Sequence, residues 1–380
     1  MSKTHAQIVG WGRYLPARVL TNQDLARMVD TSDEWIRTRT GISERRIAGP
    51  REFTSTMGIR AAMSALEVAD LNPGRLDLVI AATITPDYYG LPATASLIQD
   101  GIGATRAGAF DVNAGCSGFV YALAVASQLI ESGAHRNVLV VGAETVSRIV
   151  DWTDRSTCVL FGDGAGAVVL QASENTTGLL SCVLGSDGSG AEALYIPAGG
   201  TRLPTSAETV QDRLHFVKMN GNEVFRFAVN AITRATMQAL AEAKLRPDDI
   251  DLFIPHQANT RIIQAAGKAL GLPAAKVFVN VERYGNTSSA SIPIALCEAV
   301  EQGRVAPGDR LVLVGFGAGL AWAAAVVQWG VPTTGVERPW WRRALHTIWE
   351  PEAAVLSFAR RTRRRIGALR HPGGRENGHV

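Results

Sequence analysis

Cysteine is scarce in this sequence, and its positions are far apart. The 380 residues contain four cysteines, Cys116, Cys158, Cys182 and Cys297, and no two of them form a Cys-x-x-Cys pair. This spacing gives no support to a zinc site or to a dithiol redox motif, so we expect no bound metal. Free thiols are typical of a reducing compartment, and we therefore expect a cytoplasmic protein.

Long hydrophobic runs are also missing. No stretch of about 18 apolar residues occurs, which predicts that no helix spans a membrane. Residues 1–8 are mostly polar, so we expect no signal peptide. With 46% hydrophobic and 19% charged residues, the composition is that of a globular protein with a large core.

Lysine and aspartate are absent from the last fifty residues. Residues 331–380 contain ten arginines and four glutamates, a net charge of +6. Because the whole chain carries +3, residues 1–330 carry −3. The basic character therefore belongs to the tail, and the charge of the main body does not favour nucleic-acid binding.

The most informative stretch is DVNAGCSGFVYAL at residues 111–123. An apolar run precedes it and a segment with helical periodicity follows, which predicts a strand, a sharp turn and a helix, with Cys116 at the helix start. Unpaired N–H groups at a helix N-terminus favour a thiolate, and Gly115 and Gly118 leave room for an incoming group. The pattern favours a nucleophile; the alternative is a small buried cysteine that packs like alanine.

Two parts of the chain resemble each other. LNPGRLDLVI at residues 71–80 matches LRPDDIDLFI at 245–254, 174 positions later, and RNVLVVG at 136–142 matches DRLVLVG at 309–315, 173 positions later. Ordered matches at a nearly constant offset indicate a duplicated α/β unit. We predict halves at residues 1–175 and 176–330, sheets covered by helices, and a site in the seam.

Each of these halves contains a glycine cluster. GDGAG at residues 162–166 and GFGAG at 315–319 are followed by apolar strands, and neither is followed by the lysine of a phosphate-binding loop. The first is interpreted as a tight turn between strands. The second has more functional weight, because it ends a strand in the half that carries the histidine considered next.

Polar residues follow two buried segments of the second half. His256 lies at a predicted strand-to-helix turn, and Asn286 lies in a Gly-Asn-Thr turn. A lone histidine is more often a satisfied core residue, and Asn286 could serve only as a helix cap. Together with Cys116, however, they could support thiol chemistry, although the spacing does not specify which reaction.

Five motifs together resemble β-ketoacyl-acyl-carrier-protein synthase III, a family of condensing enzymes in the thiolase superfamily. They are TSDEWIRTRTGI at residues 31–42, the cysteine stretch, FGDGAG at 161–166, PHQANTR at 255–261 and GNTSSA at 285–290. The similarity runs from about Gln7 to Trp329. It implies a five-layered αβαβα fold of two related halves, in agreement with the repeat, and a homodimer.

The resemblance also implies a reaction. Cys116 would accept an acyl group from acyl-CoA, and His256 and Asn286 would complete a triad that decarboxylates malonyl-acyl-carrier protein. Backbone N–H groups of Cys116 and Ala318 would hold the oxyanion. Phe316 would pack over the malonyl site, with core filler as the equal alternative. No metal or redox cofactor is implied.

Two groups of residues match positions that bind substrates in the family. One group would line the coenzyme A channel: Thr31, Trp35, Arg39, Arg155 and Asn259. The other would form a basic patch that docks the acidic carrier protein: Arg226, Arg261 and Lys268. The alternative for Arg39 and for the basic patch is an ordinary solvated surface.

Two features depart from the family pattern. Leu91 stands where many members place a phenylalanine at the acyl pocket, contributed across the dimer, so the primer need not be acetyl-CoA. The chain also continues about fifty residues past the family's usual end. Aromatic and apolar residues with rough helical spacing, flanked by arginines, allow three interpretations of this tail: contact with an anionic membrane surface, docking of an acidic partner, or a short helix packed on the body.

The predicted function is therefore the condensation that starts fatty acid synthesis. The same chemistry could instead start a polyketide or another specialised product. A different class, a noncatalytic carrier-binding protein of the same fold, would not need the cysteine, histidine and asparagine that the sequence retains.

Overall fold

A computed structural model describes residues 4–333 together with residues 355, 357, 359 and 362. The strands are β1 His5–Tyr14, β2 Val19–Thr21, β3 Glu44–Arg46, β4 Leu78–Ala82, β5 Gly108–Val112, β6 Asn137–Thr145, β7 Asp163–Ser173, β8 Gly178–Ser186, β9 Leu194–Tyr195, β10 Lys218–Met219, β11 Leu252–Pro255, β12 Arg310–Gly317 and β13 Ala321–Gln328.

The α-helices are α1 Asn22–Leu25, α2 Asp33–Thr40, α3 Thr54–Ala69, α4 Thr94–Gly101, α5 Gly118–Glu131, α6 Arg155–Cys158, α7 Ala207–Gln211, α8 Gly221–Glu242, α9 Thr260–Ala269, α10 Val281–Tyr284 and α11 Ser291–Glu301. Short 3₁₀ turns lie at Pro73–Arg75, Val146–Arg148, Gly188–Ala193, Pro247–Asp249, Ala274–Lys276 and Ser288–Ala290.

The first sheet has the order β1-β7-β6-β4-β5. Strand β4 runs parallel to β5 and β6, whereas β7 runs antiparallel to both of its neighbours. Its central strands, β4 and β6, are buried almost throughout, as expected for parallel strands with helices on both faces. Strand β5 forms one edge and is partly exposed.

The second sheet repeats this topology. Its order, β8-β13-β12-β11, follows the order β1-β7-β6-β4 of the first sheet. A parallel bridge between Phe253 and Val277 stands where β4 and β5 pair through Val79 and Ala109. The predicted duplication is therefore visible in strand order and register; the predicted boundaries at residues 175 and 330 stay a prediction.

Helices cover and separate the sheets, which gives the five layers. Helices α3 and α4 cover the first sheet, α5 and α11 lie between the sheets, and α8 and α9 cover the second sheet. The central layer forms the largest apolar cluster, in which Phe119 and Leu123 of α5 meet Ile292 and Leu296 of α11. Because α5 and α11 contact strands of both sheets, the turns at their N-termini are held in the seam between the halves.

Most of the tail, including Trp349 and the arginines of residues 360–365, lies outside the described residues. Residues 355, 357, 359 and 362 are helical. Ser357 is 6% exposed, and its hydroxyl donates a hydrogen bond to Asp100 Oδ2 at 2.5 Å. Val355, one of the apolar residues of the tail, is 66% exposed. Within the described part of the chain, no helix is both long and apolar enough to cross a membrane.

Trp329 directly follows the last strand of the second sheet and belongs to the central apolar cluster, so its substitution can test how the core packs. Its ring is buried against Trp11, with ring centroids 5.2 Å apart, and its Nε1 has no hydrogen-bond partner among the described residues. Trp329→Ala is expected to lower the free energy of unfolding by about 3–5 kcal/mol, measured by denaturant titration. Trp329→Phe should lose much less, because no hydrogen bond is removed and most of the volume is kept. Equal losses in the two variants would contradict this account of the packing.

Candidate active site

Cys116 lies in the turn before α5. Gly115 adopts a φ of +56°, Ser117 is the N-cap, and the helix begins at Gly118. The turn fits closely against the second half, because a Cβ on Gly115 would lie 2.9 Å from Ala318 N. The cysteine is 5% exposed. The predicted strand, turn and helix are therefore confirmed, and the thiol faces the seam.

His256 follows β11 and is buried. Its Nδ1 lies 2.6 Å from Ser291 Oγ, at the start of α11. The backbone N–H of Gln257 donates to the same Ser291 oxygen at 3.3 Å. The Ser291 hydroxyl proton can then be donated to Nδ1, which leaves the proton of the neutral imidazole on Nε2.

Asn286 is held by its own turn and by the first half. Its Oδ1 accepts the backbone N–H of Ser288 at 2.8 Å, so the Nδ2 amide is left as a donor. Its backbone N–H donates to Leu160 O at 2.8 Å, and its carbonyl accepts the N–H of Gly162 at 3.0 Å. The segment from Leu160 to Gly162 therefore holds Asn286 in place. The tight turn that we predicted at residues 162–166 is wrong, because residues 163–166 belong to strand β7.

The three side chains meet in one cavity of about 420 Å³. Cys116, His256 and Asn286 all line it, together with Phe316. The Phe316 ring contacts the His256 imidazole edge-on at 5.1 Å and also belongs to the apolar cluster under α8. Both of its proposed roles, at the site and in the core, are therefore compatible with its position.

Burial controls the protonation of the site. It raises the pKa of the Cys116 thiol to about 12, a hydrogen bond with Ser288 opposing this effect. Burial also lowers the pKa of His256 to about 3. We expected the helix N-terminus to stabilise a Cys116 thiolate. The structure does not favour this, because burial removes water from the charged form and this effect is the larger one. Both shifts favour the uncharged thiol and the uncharged imidazole at neutral pH.

Glu144, at the end of β6, was not identified from the sequence. Its carboxylate is fully buried and accepts hydrogen bonds from both halves, the donors being Thr83 Oγ1, Ile84 N, Thr85 Oγ1, Ser288 Oγ, Ser289 N and Ser289 Oγ. Burial raises the pKa of Glu144, and these hydrogen bonds oppose the rise. An acidic residue at the end of an otherwise apolar strand was the signal that could have identified it.

The residues predicted to bind coenzyme A surround Trp35. The Arg39 and Arg155 guanidinium groups lie 4.7 and 4.8 Å from its ring centroid. Asn259 donates to Arg39 O at 3.0 Å, and within the part of the chain that the structure describes the buried Oγ1 of Thr31 has no hydrogen-bond partner. Trp35, Arg39 and Asn259 line the Cys116 cavity, whereas Thr31 and Arg155 are not among its lining residues.

The three residues of the predicted basic patch are not all at the cavity. Arg226 of α8 and Arg261 of α9 line it. Lys268 lies in the last turn of α9, is exposed and is not among the lining residues. The patch is therefore split between the cavity and the outer surface of the second half.

A second cavity, of about 480 Å³, also reaches Cys116. It is lined by Ala318 and by the loop that contains Tyr88 and Tyr89. Leu91 belongs to that loop, but its side chain is 86% exposed and lines neither cavity within one chain. The thiol thus lies where two cavities meet, and the role of Leu91 across a dimer stays a prediction.

Gly317 fixes the distance between β12 and the cysteine turn. A Cβ at this position would lie 2.6 Å from Cys116 N and 3.1 Å from its Sγ. Gly317→Ala is expected to lower the free energy of unfolding by about 1–3 kcal/mol and to change the rate of Cys116 alkylation by iodoacetamide. Gly188→Ala is the control, because nothing lies within 4 Å of its added Cβ. Indistinguishable variants would refute the close contact.

Two family models match parts of this chain. The family model for 3-oxoacyl-[acyl-carrier-protein] synthase III matches residues 110–188, and the model for the C-terminal part of that family matches residues 240–329. The β-ketoacyl-[acyl-carrier-protein] synthase III of Caldanaerobacter subterraneus subsp. tengcongensis is 55% identical over 327 residues, which cover 86% of this chain and 98% of that protein.

Solved structures show the same relationship. The 3-oxoacyl-[acyl-carrier-protein] synthase III from Aquifex aeolicus is 47% identical, with a TM-score of 0.80, and the match covers 85% of this chain and 100% of that one. The priming β-ketosynthase of the R1128 polyketide pathway is 38% identical, with a TM-score of 0.80, and the match covers 87% of this chain and 98% of that one. The chain therefore belongs to the β-ketoacyl-[acyl-carrier-protein] synthase III family, whose members are condensing acyltransferases.

Proposed function

We propose that the protein transfers an acyl group from acyl-CoA to Cys116 and condenses it with malonyl-acyl-carrier protein. The products are 3-oxoacyl-carrier protein, carbon dioxide and free CoA. The observation that carries this proposal is the position of Cys116, which borders both cavities, one shared with His256 and Asn286 and the other with the Tyr88–Tyr89 loop. Support also comes from the family to which the chain belongs.

In the first half-reaction, the Cys116 sulfur attacks the thioester carbonyl of acyl-CoA. The C–S bond to CoA breaks, and the thiol proton leaves with the CoA sulfur. Attack places negative charge on the carbonyl oxygen. We propose that the backbone N–H groups of Cys116 and Ala318 hold this oxyanion. The pantetheine arm would enter past Trp35, with the adenine stacked near the Arg39 and Arg155 guanidinium groups.

In the second half-reaction, malonyl-carrier protein takes the place of CoA. His256 Nε2–H and Asn286 Nδ2–H are two neutral donors in one cavity, which suits the thioester oxygen of an enolate. Loss of carbon dioxide gives that enolate, and its carbon attacks acyl-Cys116. The C–S bond breaks, the thiolate takes up a proton, and no electron is gained or lost, so the steps need no metal or redox cofactor.

We propose that Arg226 and Arg261 steer the acidic carrier protein to the cavity. Both line it and both are cationic, whereas residues 1–330 as a whole are acidic. Long-range attraction of this kind raises association rates more than it raises affinity. Lys268 would contribute only at the rim of such a contact, because it lies outside the cavity.

We also propose a homodimer that pairs the β5 edges. Strand β5 ends the first sheet, and its Phe110 is a partly exposed hydrophobic residue. Tyr88, Tyr89 and Leu91 project from the nearby loop as exposed hydrophobic residues. An unpaired edge strand beside exposed aromatics is a surface that natural proteins normally cover. Pairing would bring Leu91 toward the partner's second cavity.

The same chemistry in a polyketide pathway is a second candidate. It is favoured by the 38% identity to a priming β-ketosynthase over 87% of this chain. A panel of acyl-CoA primers with malonyl-carrier protein, with products identified by mass, separates the pathways by the primers accepted. A noncatalytic carrier-binding role is disfavoured because the thiol and the two donors share one cavity.

We propose that Cys116 accepts the acyl group and that His256 and Asn286 act in decarboxylation, so substitutions should affect the two half-reactions separately. Cys116→Ser should not gain the mass of an acyl group from acyl-CoA, and Cys182→Ser, which changes a cysteine of β8, should acylate normally. His256→Ala and Asn286→Ala should still be acylated but should lose about 10²–10³ in decarboxylation rate, because each lacks one donor to the enolate. Undiminished carbon dioxide release from either alanine variant would refute the assignment.

Primer choice is predicted to depend on Leu91. With leucine in place of an aromatic residue, we expect branched or longer acyl-CoA primers to be accepted beside acetyl-CoA. Leu91→Phe should shift the kcat/KM ratio toward acetyl-CoA, because the larger ring shortens the pocket. Met237→Phe, an exposed position on α8, is the control for adding a surface aromatic. An unchanged primer profile in Leu91→Phe would remove Leu91 from the pocket.

A further inference from the structure

The outer helices of the first half end in acidic residues. Asp70 is the C-cap of α3, Glu67 lies three residues before it, and Asp100 lies in the last turn of α4. The C-terminus of a helix carries partial negative charge, so acidic side chains there are unfavourable unless a cation is close. Each of these three residues does have a bonding partner.

The duplicated helix of the second half ends differently. Helices α3 and α8 close with the same motif: Leu71 N–H donates to Leu66 O, and Leu245 N–H donates to Leu240 O. The residue before each of these leucines is left-handed, with a φ of 52° at Asp70 and 59° at Lys244. At equivalent positions, therefore, the second half has a cation that suits the helix end, and the first half has an anion.

The tail reaches this acidic surface. Ser357 is buried and donates to Asp100, and Thr362, five residues further along, is half-buried and also has a bonding partner. Val355 and Ala359 are exposed, so the opposite side of this helix faces solvent. The sequence around Thr362 contains five arginines, at all the other positions of residues 360–365.

We propose that the ends of α3 and α4 are the docking surface of the chain's own arginine-rich segment, residues 360–365. This segment supplies to α3 the positive charge that Lys244 supplies to α8. The distances agree: α4 contacts α3 at Ile59, eight residues before Glu67, which is about 12 Å of helix. Ser357 and Arg365 are likewise eight residues apart in the sequence, which is enough chain to span that distance.

Docking on the body makes a membrane role for the tail unnecessary. Arginines that neutralise Glu67 and Asp70 are not available to anionic lipid, and the buried Ser357 holds the helix against α4. The tail then acts as an intramolecular clasp on the outer layer of the first half. The active-site residues all precede Trp329, so the clasp affects stability and not the chemistry.

The position of the tail can be tested by disulfide trapping in the full-length protein. Asp100→Cys combined with Ser357→Cys should form a disulfide on mild oxidation, because the two side chains touch. Asp100→Cys combined with Val355→Cys is the matched control, since Val355 faces solvent two residues away. We expect the disulfide peptide in most molecules of the first variant and in few of the second. Equal yields in both would overturn the docking.

The charge component is tested separately. Glu67→Gln with Asp70→Asn should lower the Tm of the full-length protein by roughly 2 °C at low salt and by less in 1 M NaCl. Asparagine tolerates the left-handed conformation at residue 70, so backbone strain is not the cause. Glu242→Gln, at the end of α8, is the control and should leave the Tm unchanged. An unchanged or raised Tm in the double variant would overturn the electrostatic pairing.

The truncated chain provides the complementary test. Residues 1–330 span essentially the whole length of the relatives described above, so a chain that stops after Gly330 is expected to fold. In that chain the double substitution should no longer lower the Tm, and Asp70→Lys should raise it. Co-sedimentation with anionic vesicles completes the test. Pelleting of the full-length protein that requires the tail, together with a disulfide-free Asp100→Cys/Ser357→Cys pair, would show a membrane contact and overturn the clasp.

Discussion

A single buried carboxylate joins the two halves at the active site. Glu144 ends a strand of the first sheet and accepts hydrogen bonds from the β4 loop and from the turn that follows Asn286. A buried charge is tolerated only when its oxygens are satisfied, and here the donors come from both halves. The turn that carries Asn286 is therefore fixed relative to the strand ends next to Cys116. The geometry of the triad depends on this contact.

Glycines make the contact possible. A Cβ on Gly142 would lie 2.5 Å from Ser289 O, and one on Gly315 would lie 2.8 Å from Ser117 Cα. These positions occupy equivalent strands of the two sheets, which the sequence repeat had already aligned. Duplication therefore supplied two similar surfaces that approach at backbone distance, and small residues on each side keep them close enough for the cysteine of one half to reach the histidine of the other.

Patterns that are local in sequence were predictable, and contacts between distant segments were not. Periodicity and the placement of glycines predicted the strand, turn and helix around Cys116 and the duplicated topology. They also predicted that His256 and Asn286 lie in turns. The sequence does not specify how deeply a turn is buried, so the raised pKa of Cys116 was missed. Glu144 was missed because its partners lie about 60 and 144 residues away along the chain. We predicted that Leu91 lies at the acyl pocket, but within one chain its side chain lines neither cavity.

The two halves share a topology but carry different functional side chains. The turn before α5 carries Cys116, the proposed nucleophile, whereas the segment that leads into α11 carries Asn286, and the first residue of α11 is Ser291, which hydrogen-bonds His256. Neither half contains both the sulfur and the two neutral donors, so the reaction requires the seam. The outer layer differs between the halves as well: Lys244 follows the end of α8, whereas the acidic residue Asp70 follows the end of α3 and favours a basic segment from elsewhere in the chain. The two copies therefore differ at the active site and at the surface where we propose that the C-terminal segment docks.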